Sequence, residues 1–259
     1  MKAISILLIT LLSGNLLFAQ HTKIVTAGSI EYEKSVNAYA VNRLMVSMMP
    51  RQLQTMYQTT LESYEKRSKQ FITAHSTLTF NNNKLLFTPV AADNLTSRMA
   101  AYMAANSCKQ MNTVYTDLSA NTRTIQKDIN DEQFLLKDSL SKIKWRITGA
   151  TQDILGYTCR EAHGVVLDSV YIVAFYTDKI WVGGGPESFS GLPGMILKLV
   201  LPHEHITWTA TKITEEPPAT AIEPPKQGKP INKQQLNGLL DNNSKRSSTG
   251  IYERKLFLL

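Results

Sequence analysis

From residue 112 onward the chain is cut into short runs that alternate apolar and polar side chains, separated by turn-forming residues. The runs fall at about 112–118, 122–129, 132–138, 142–149, 158–167 and 170–177, with one or two more between 197 and 213. Residues i and i+2 of a strand share a face, so each run buries one face and wets the other. Strands at such regular short intervals pair with their sequence neighbours as hairpins and meanders. The expectation is a mainly β protein: an open, curved antiparallel sheet, half-barrel-like, with one or two flanking helices and a proline-rich C-terminal tail.

The N-terminal part extends this pattern. Gly28 to Val36 alternates Ile30 and Tyr32 with Glu31, Glu33 and Lys34, which predicts a half-buried strand. Phe71 to Phe80 alternates strongly, Asn81-Asn82-Asn83 forms a turn cluster, and Lys84 to Thr88 returns, which predicts a hairpin. Between them, Leu44, Met45, Met48, Met49, Leu53, Met56, Tyr57, Leu61 and Tyr64 recur at spacings of three and four. That is an amphipathic helix weakened at Pro50, its methionines read chiefly as core filling. Residues 92–107 predict a short helix or an irregular excursion. Five prolines in 215–231 exclude a central strand and predict an extended connector. Residues 232–247 suit an exposed polar helix, and Ile251 to Leu259 either docks on the sheet or stays loose.

Residues 1–20, MKAISILLITLLSGNLLFAQ, combine an early lysine, a short apolar centre and a small residue, Ala19, at a cleavage position. This is the pattern of a secretory leader, and its apolar part is short for a membrane span. The expected division is a leader at 1–19, a β-rich domain at 20–214 and a connector with tail at 215–259. The mature chain is expected in the periplasm or outside the cell, with no transmembrane segment.

The formal net charge of +7 raises nucleic acid as a partner. One lysine, Lys2, belongs to the leader, and the other basic residues are dispersed, the densest being Lys66-Arg67-Ser68-Lys69, Lys142 to Arg146 and Lys245-Arg246. A nucleic-acid surface needs a clustered stripe with stacking aromatics, so no nucleic-acid partner is expected.

For chemistry, Pro202-His203-Glu204-His205 is the strongest metal candidate. On a strand, His203 and His205 would share a face, with His75 or His163 as a third ligand. The same alternation, with Ile206 and Trp208 facing the core, also fits two solvated histidines. Cys108 and Cys159, the only cysteines, are a possible disulfide in an oxidising compartment. No GxSxG elbow, no HExxH pair and no phosphate-binding loop occurs, a carboxylate pair such as Asp138 and Asp153 lacks support, and no cofactor is implied.

Residues 183–197 form a long glycine-rich loop ending in a tight turn, Leu192-Pro193-Gly194-Met195, where proline and glycine suit the central positions of a type II turn. The motif Gly191-Leu192-Pro193-Gly194-Met195-Ile196 resembles the GLPGLI family, also called Porph_ging, of exported Bacteroidetes proteins. Val114 to Leu118, Lys144 to Thr148, Ile154 to Cys159 and Phe175 to Ile180 extend the resemblance across roughly 28–213. Met195, Phe175 and Trp181 depart from the family pattern through apolar or loop changes. The resemblance implies a β-rich envelope or secreted protein and carries no activity. The expected function is therefore a non-enzymatic binding or carrier module for a lipid, a peptide or an envelope protein. An envelope metal-handling protein using His203, His205 and the methionines, and a hydrolase with a non-standard site, are the alternatives.

Overall fold

The computed structural model describes residues 24–90, 107–108, 112–129, 132–245 and 249–258. The leader reading and all of the 92–107 segment except its last residue lie outside the described residues. The strands are β1 (Ala27–Asn37), β2 (Phe71–Asn81), β3 (Lys84–Pro89), β4 (Thr113–Asp117), β5 (Thr122–Ile129) and β6 (Glu132–Ser139). They continue as β7 (Arg146–Ile154), β8 (Tyr157–Val166), β9 (Val170–Thr177), β10 (Met195–Leu201), β11 (Ile206–Thr214) and β12 (Lys229–Ile231). The helices are α1 (Ala38–Ser47), α2 (Arg51–Arg67), α3 (Lys233–Ser244) and α4 (Gly250–Leu258). None of these helices is long and apolar enough to cross a membrane.

All twelve strands form one sheet in the order β12-β6-β5-β4-β3-β2-β1-β11-β10-β9-β8-β7. β1 is the centre from which β2 to β6 step outward to one edge. The chain then reaches the opposite edge at β7 and steps back inward to β11, which pairs antiparallel with β1. The β6–β7 connection fixes the curvature. Ser139 and Arg146 bound a link that spans at most about 25 Å when fully extended. Ten strand spacings in a flat sheet would need about 48 Å. The sheet must therefore curl until its two flanks approach. Gly164 on β8 makes room for that link: a side chain there would meet Ile143 at 3.0 Å and Trp145 at 3.1 Å.

The concave face carries the core. Ile30, Tyr32, Leu78, Phe80, Ile172, Tyr176, Leu199 and Trp208 are buried on it. Tyr32 crosses the core to donate its hydroxyl to the Ile196 carbonyl at 2.5 Å. The helical stretch splits where proline predicts. Asn37 caps α1 by accepting from the Ala40 amide at 3.2 Å, and Pro50 opens α2. The methionine reading holds only in part: Met45 is buried, whereas Met48 and Met56 are exposed. α2 buries only Leu61 and Tyr64, so its first half has no apolar partner to cover.

The tail docks. β12 pairs parallel with β6 at the sheet edge, where Pro230 removes no ladder bond from an inner strand. Asn232 and Gln235 cap α3 reciprocally: the Gln235 amide donates to Asn232 Oδ1 at 2.8 Å, and the Asn232 amide to Gln235 Oε1 at 3.0 Å. α3 is amphipathic rather than exposed throughout, since Leu236 and Leu240 are buried. α4 buries Tyr252 and Leu256, and Arg254 pairs with Asp241 of α3 at 2.5 Å.

Candidate functional site

The glycine-rich loop between β9 and β10 folds over the concave face. Its turn is tighter than a type II turn. The Gly194 amide donates to the Leu192 carbonyl at 2.8 Å, closing a three-residue turn around Pro193. Gly194 has φ of +150°, and a Cβ there would sit 2.1 Å from the Thr177 carbonyl oxygen. Gly191 and Gly194 are thus required by backbone geometry.

Glu187, in the same loop, has φ of +53° and is buried. Asn112 donates to its carboxylate at 3.1 Å. Two buried lysines belong to the same inner cluster. Lys34 of β1 places its ammonium 4.9 Å from the Trp208 ring centre. Lys127 of β5 donates to the Phe257 carbonyl of α4 at 2.6 Å. Burial pushes the Glu187 carboxyl up, with Lys34 and the Asn112 hydrogen bond opposing. It pushes Lys34 down and Lys127 down to about 8, with Glu187 opposing in both. Ionisable groups displaced in this way mark functional sites and internal ion networks alike. Here Asn112 holds Glu187 and the Phe257 carbonyl of α4 holds Lys127, whereas the buried Lys34 ammonium makes no hydrogen bond and meets the Trp208 ring.

A second constellation lies on the open outer face, on the β8–β9 hairpin. His163 pairs with Val173, and Val165 with Tyr171, which sets Glu161, His163 and Tyr171 on one face. His163 Nε2 lies 2.8 Å from Glu161 Oε1, and His163 Nδ1 lies 2.9 Å from the Tyr171 hydroxyl. Thr148 of β7 donates to the same Glu161 oxygen at 3.0 Å. Hydrogen bonds from Thr148 and His163 hold the Glu161 carboxyl below the usual range. A carboxylate only accepts, so in the neutral imidazole Nε2 carries the proton and Nδ1 accepts from Tyr171. The order is hydroxyl, imidazole, carboxylate, with His163 and Glu161 side chains about one-fifth exposed.

The candidate metal pair does not share a strand face. Residues 202–205 form the turn between β10 and β11, and His205 has φ of +58°, so strand alternation does not apply. His203 is exposed and lies against Tyr171, with ring centres 6.3 Å apart. His205 is half-buried, its imidazole pKa lowered by burial and by His203. Among the described residues, no three His, Cys, Asp or Glu side chains are placed to hold a metal ion. The possible disulfide is not formed: Cys108 and Cys159 are free and buried. The Cys108 thiol contacts the Ile72 carbonyl at 3.5 Å and the Cys159 thiol that of Tyr157 at 3.4 Å, on separate parts of the core. Asp138 is occupied by Arg123 at 3.2 Å, and Asp153 accepts from the Gly156 amide at 3.1 Å in its own turn.

Sequence reasoning noted His163 but not its partners. The available signal was the Glu161-x-His163 spacing on a strand followed by a short turn at Leu167 to Ser169, which brings Tyr171 back beside Val165.

Curved sheet, covering loop and docked tail define a mainly β domain whose inner face is sealed and whose outer face is open. Over residues 63–236 the chain matches the family described as N-glycanase peptide, N-terminal domain, and it belongs to that family. Two solved structures of PNGF-II share the fold. One, in space group P21, has a TM-score of 0.51 at 16% identity, covering 83% of this chain and 33% of that chain. The other, in C2, has a TM-score of 0.50 at 17% identity, covering 80% and 31%. The chain thus spans about a third of the length of those proteins. No curated protein matches it.

This membership overturns the GLPGLI, or Porph_ging, resemblance. Within Gly191 to Ile196, which carried it, the glycine at 194 is accounted for by the turn. It also overturns the expectation of a non-enzymatic carrier for a lipid, peptide or envelope protein, because the family is one of N-glycanase domains. That expectation rested on missing linear motifs.

Proposed function

We propose that this chain serves in the hydrolytic release of N-linked glycans, as an N-glycanase-type N-terminal domain that engages the glycosylated polypeptide. The family match over residues 63–236 carries the reading, since it runs from the end of α2 into α3 and includes the outer constellation and, of the inner cluster, Asn112, Lys127 and Glu187. The leader pattern at residues 1–19 supports export as the route to such substrates.

The test uses the full chain with an N-glycosylated peptide and the same peptide stripped of its glycan. The glycosylated form should be retained preferentially, and mass spectrometry reads loss of glycan mass from the peptide. A chain that neither prefers the glycosylated peptide nor releases its glycan refutes the reading.

A further inference from the structure

We infer that Tyr171, His163 and Glu161 form an esterolytic centre for activated acyl donors, an activity separate from the N-glycanase reading. The Tyr171 hydroxyl lies 2.9 Å from His163 Nδ1, and His163 Nε2 lies 2.8 Å from Glu161 Oε1. The carboxylate fixes the proton order, so the imidazole nitrogen that faces the phenol is the one that accepts. A hydroxyl against a basic nitrogen, with the ring oriented by a third group, is the arrangement of an activated nucleophile. Thr148 holds the carboxylate by donating to the same oxygen at 3.0 Å. The relay is also open to solvent. Val165, which pairs with Tyr171 across the hairpin, is 52% exposed, and the Glu161 and His163 side chains each keep about one-fifth of their surface.

In the first step the Tyr171 oxygen bonds to the acyl carbon, and the bond from that carbon to the leaving oxygen or sulfur breaks. The leaving group departs with the electron pair. The phenol proton moves to His163 Nδ1, Glu161 stabilises the imidazolium, and the proton then passes to the departed group or to solvent. In the second step His163 takes a proton from water as the water oxygen attacks the acyl carbon. The acid is released and the Tyr171 oxygen recovers its proton. The nucleophile also sets the substrate class. Phenols ionise near about 10, so a phenoxide expels only weaker bases, such as nitroaryloxides and thiolates. Alkyl esters and amides would expel the phenoxide instead. The same property helps the second step, because an acyl-tyrosine is itself an aryl ester.

The test mixes the full chain at neutral pH with p-nitrophenyl acetate, with S-phenyl thioacetate and with ethyl acetate. Stopped-flow absorbance follows the leaving group, and mass mapping of quenched samples locates the acetyl group. The first two donors should give a burst, acetyl on Tyr171 and continued turnover, and ethyl acetate none. Tyr57, half-buried on α2, is the reference tyrosine and should be labelled far more slowly. Tyr171→Phe should abolish the burst. His163→Phe should slow it about a hundredfold. Glu161→Gln, whose amide oxygen still accepts from Thr148 and His163, should slow it about tenfold through the lost charge. His203→Ala, which removes only a neighbouring ring 6.3 Å away, should change it less than about twofold. Thermal unfolding verifies each fold, and where His163→Phe does not fold, Glu161→Gln carries the test. Labelling of Tyr57 as fast as Tyr171, a burst that survives Tyr171→Phe or is untouched by Glu161→Gln, or an acetyl-Tyr171 that never turns over would each overturn the inference. The N-glycanase reading stands or falls apart from these outcomes, since they involve no glycopeptide.

Discussion

The two faces of one sheet hold similar residue types under opposite conditions. On the inner face, Glu187, Lys34 and Lys127 are nearly removed from water. On the outer face, Glu161 and His163 keep about one-fifth of their side-chain surface wet. Burial makes an unpaired charge costly, so Glu187 is held by Asn112 and Lys127 by a carbonyl of α4. The outer relay bears little of that cost, so its geometry is free to serve a ligand. Similar chemistry is therefore structural in one place and available in the other.

Removing Glu187 should break the contrast most. Glu187→Ala strips buried Asn112 of its acceptor and removes the carboxylate nearest two buried lysines, and should cost about 3 kcal/mol in urea unfolding. A loss below about 1 kcal/mol would mean the lysines find other compensation. Next is the loop that seals the inner face. Gly194→Ala drives a Cβ into the Thr177 carbonyl and should cost about 2–3 kcal/mol, read by thermal unfolding. An unchanged melting temperature would show that the turn can shift.

The inner cluster should also write itself into the pH dependence. Lys127 is held down to about 8 in the fold, against an ordinary 10.5. Between those values the unfolded chain binds the proton and the native chain does not. Stability from this group therefore rises with pH through that window, by at most about 1.4 kcal/mol per pH unit. The buried thiols act oppositely above about pH 9, because burial pushes Cys108 up to about 11 and Cys159 up to about 12. The difference between wild type and Lys127→Met isolates the lysine, and a difference that is flat from pH 8 to 10 contradicts its depressed pKa.

The outer face should give the smallest response. Glu161→Gln should leave the urea unfolding midpoint nearly unchanged, since the amide oxygen still accepts from Thr148 and His163. Its signature is instead local: the His163 ring resonances should shift in NMR spectra. A large stability loss would make the relay a structural clasp and erase the distinction between the faces.

Much of this architecture was legible in the chain. The runs at 122–129 and 170–177 coincide with β5 and β9, because alternation is a local consequence of strand geometry and burial. Pro50 marked the helix break, and the prolines of 215–231 excluded an inner strand, although 229–231 pair as an edge strand where a connector was expected. Other features were not local. Strand alternation misled at His203 and His205, since a turn with positive φ at His205 interrupts it. The polar residues of 232–247 concealed Leu236 and Leu240, whose partners are far away in sequence. Lys34 read as one exposed position of an alternating strand, yet it is only 4% exposed.

By itself, then, the sequence determined the strand-rich body, its register-setting turns and the glycines that a tight turn demands, because each depends on φ, ψ and neighbours within a few residues. Tertiary structure alone decided which face of the sheet would be sealed. It decided that the tail would complete the inner cluster, and that Tyr171, His163 and Glu161 would meet His203. Those outcomes depend on strand order and on the curl that a short β6–β7 link imposes, and no local pattern encodes either.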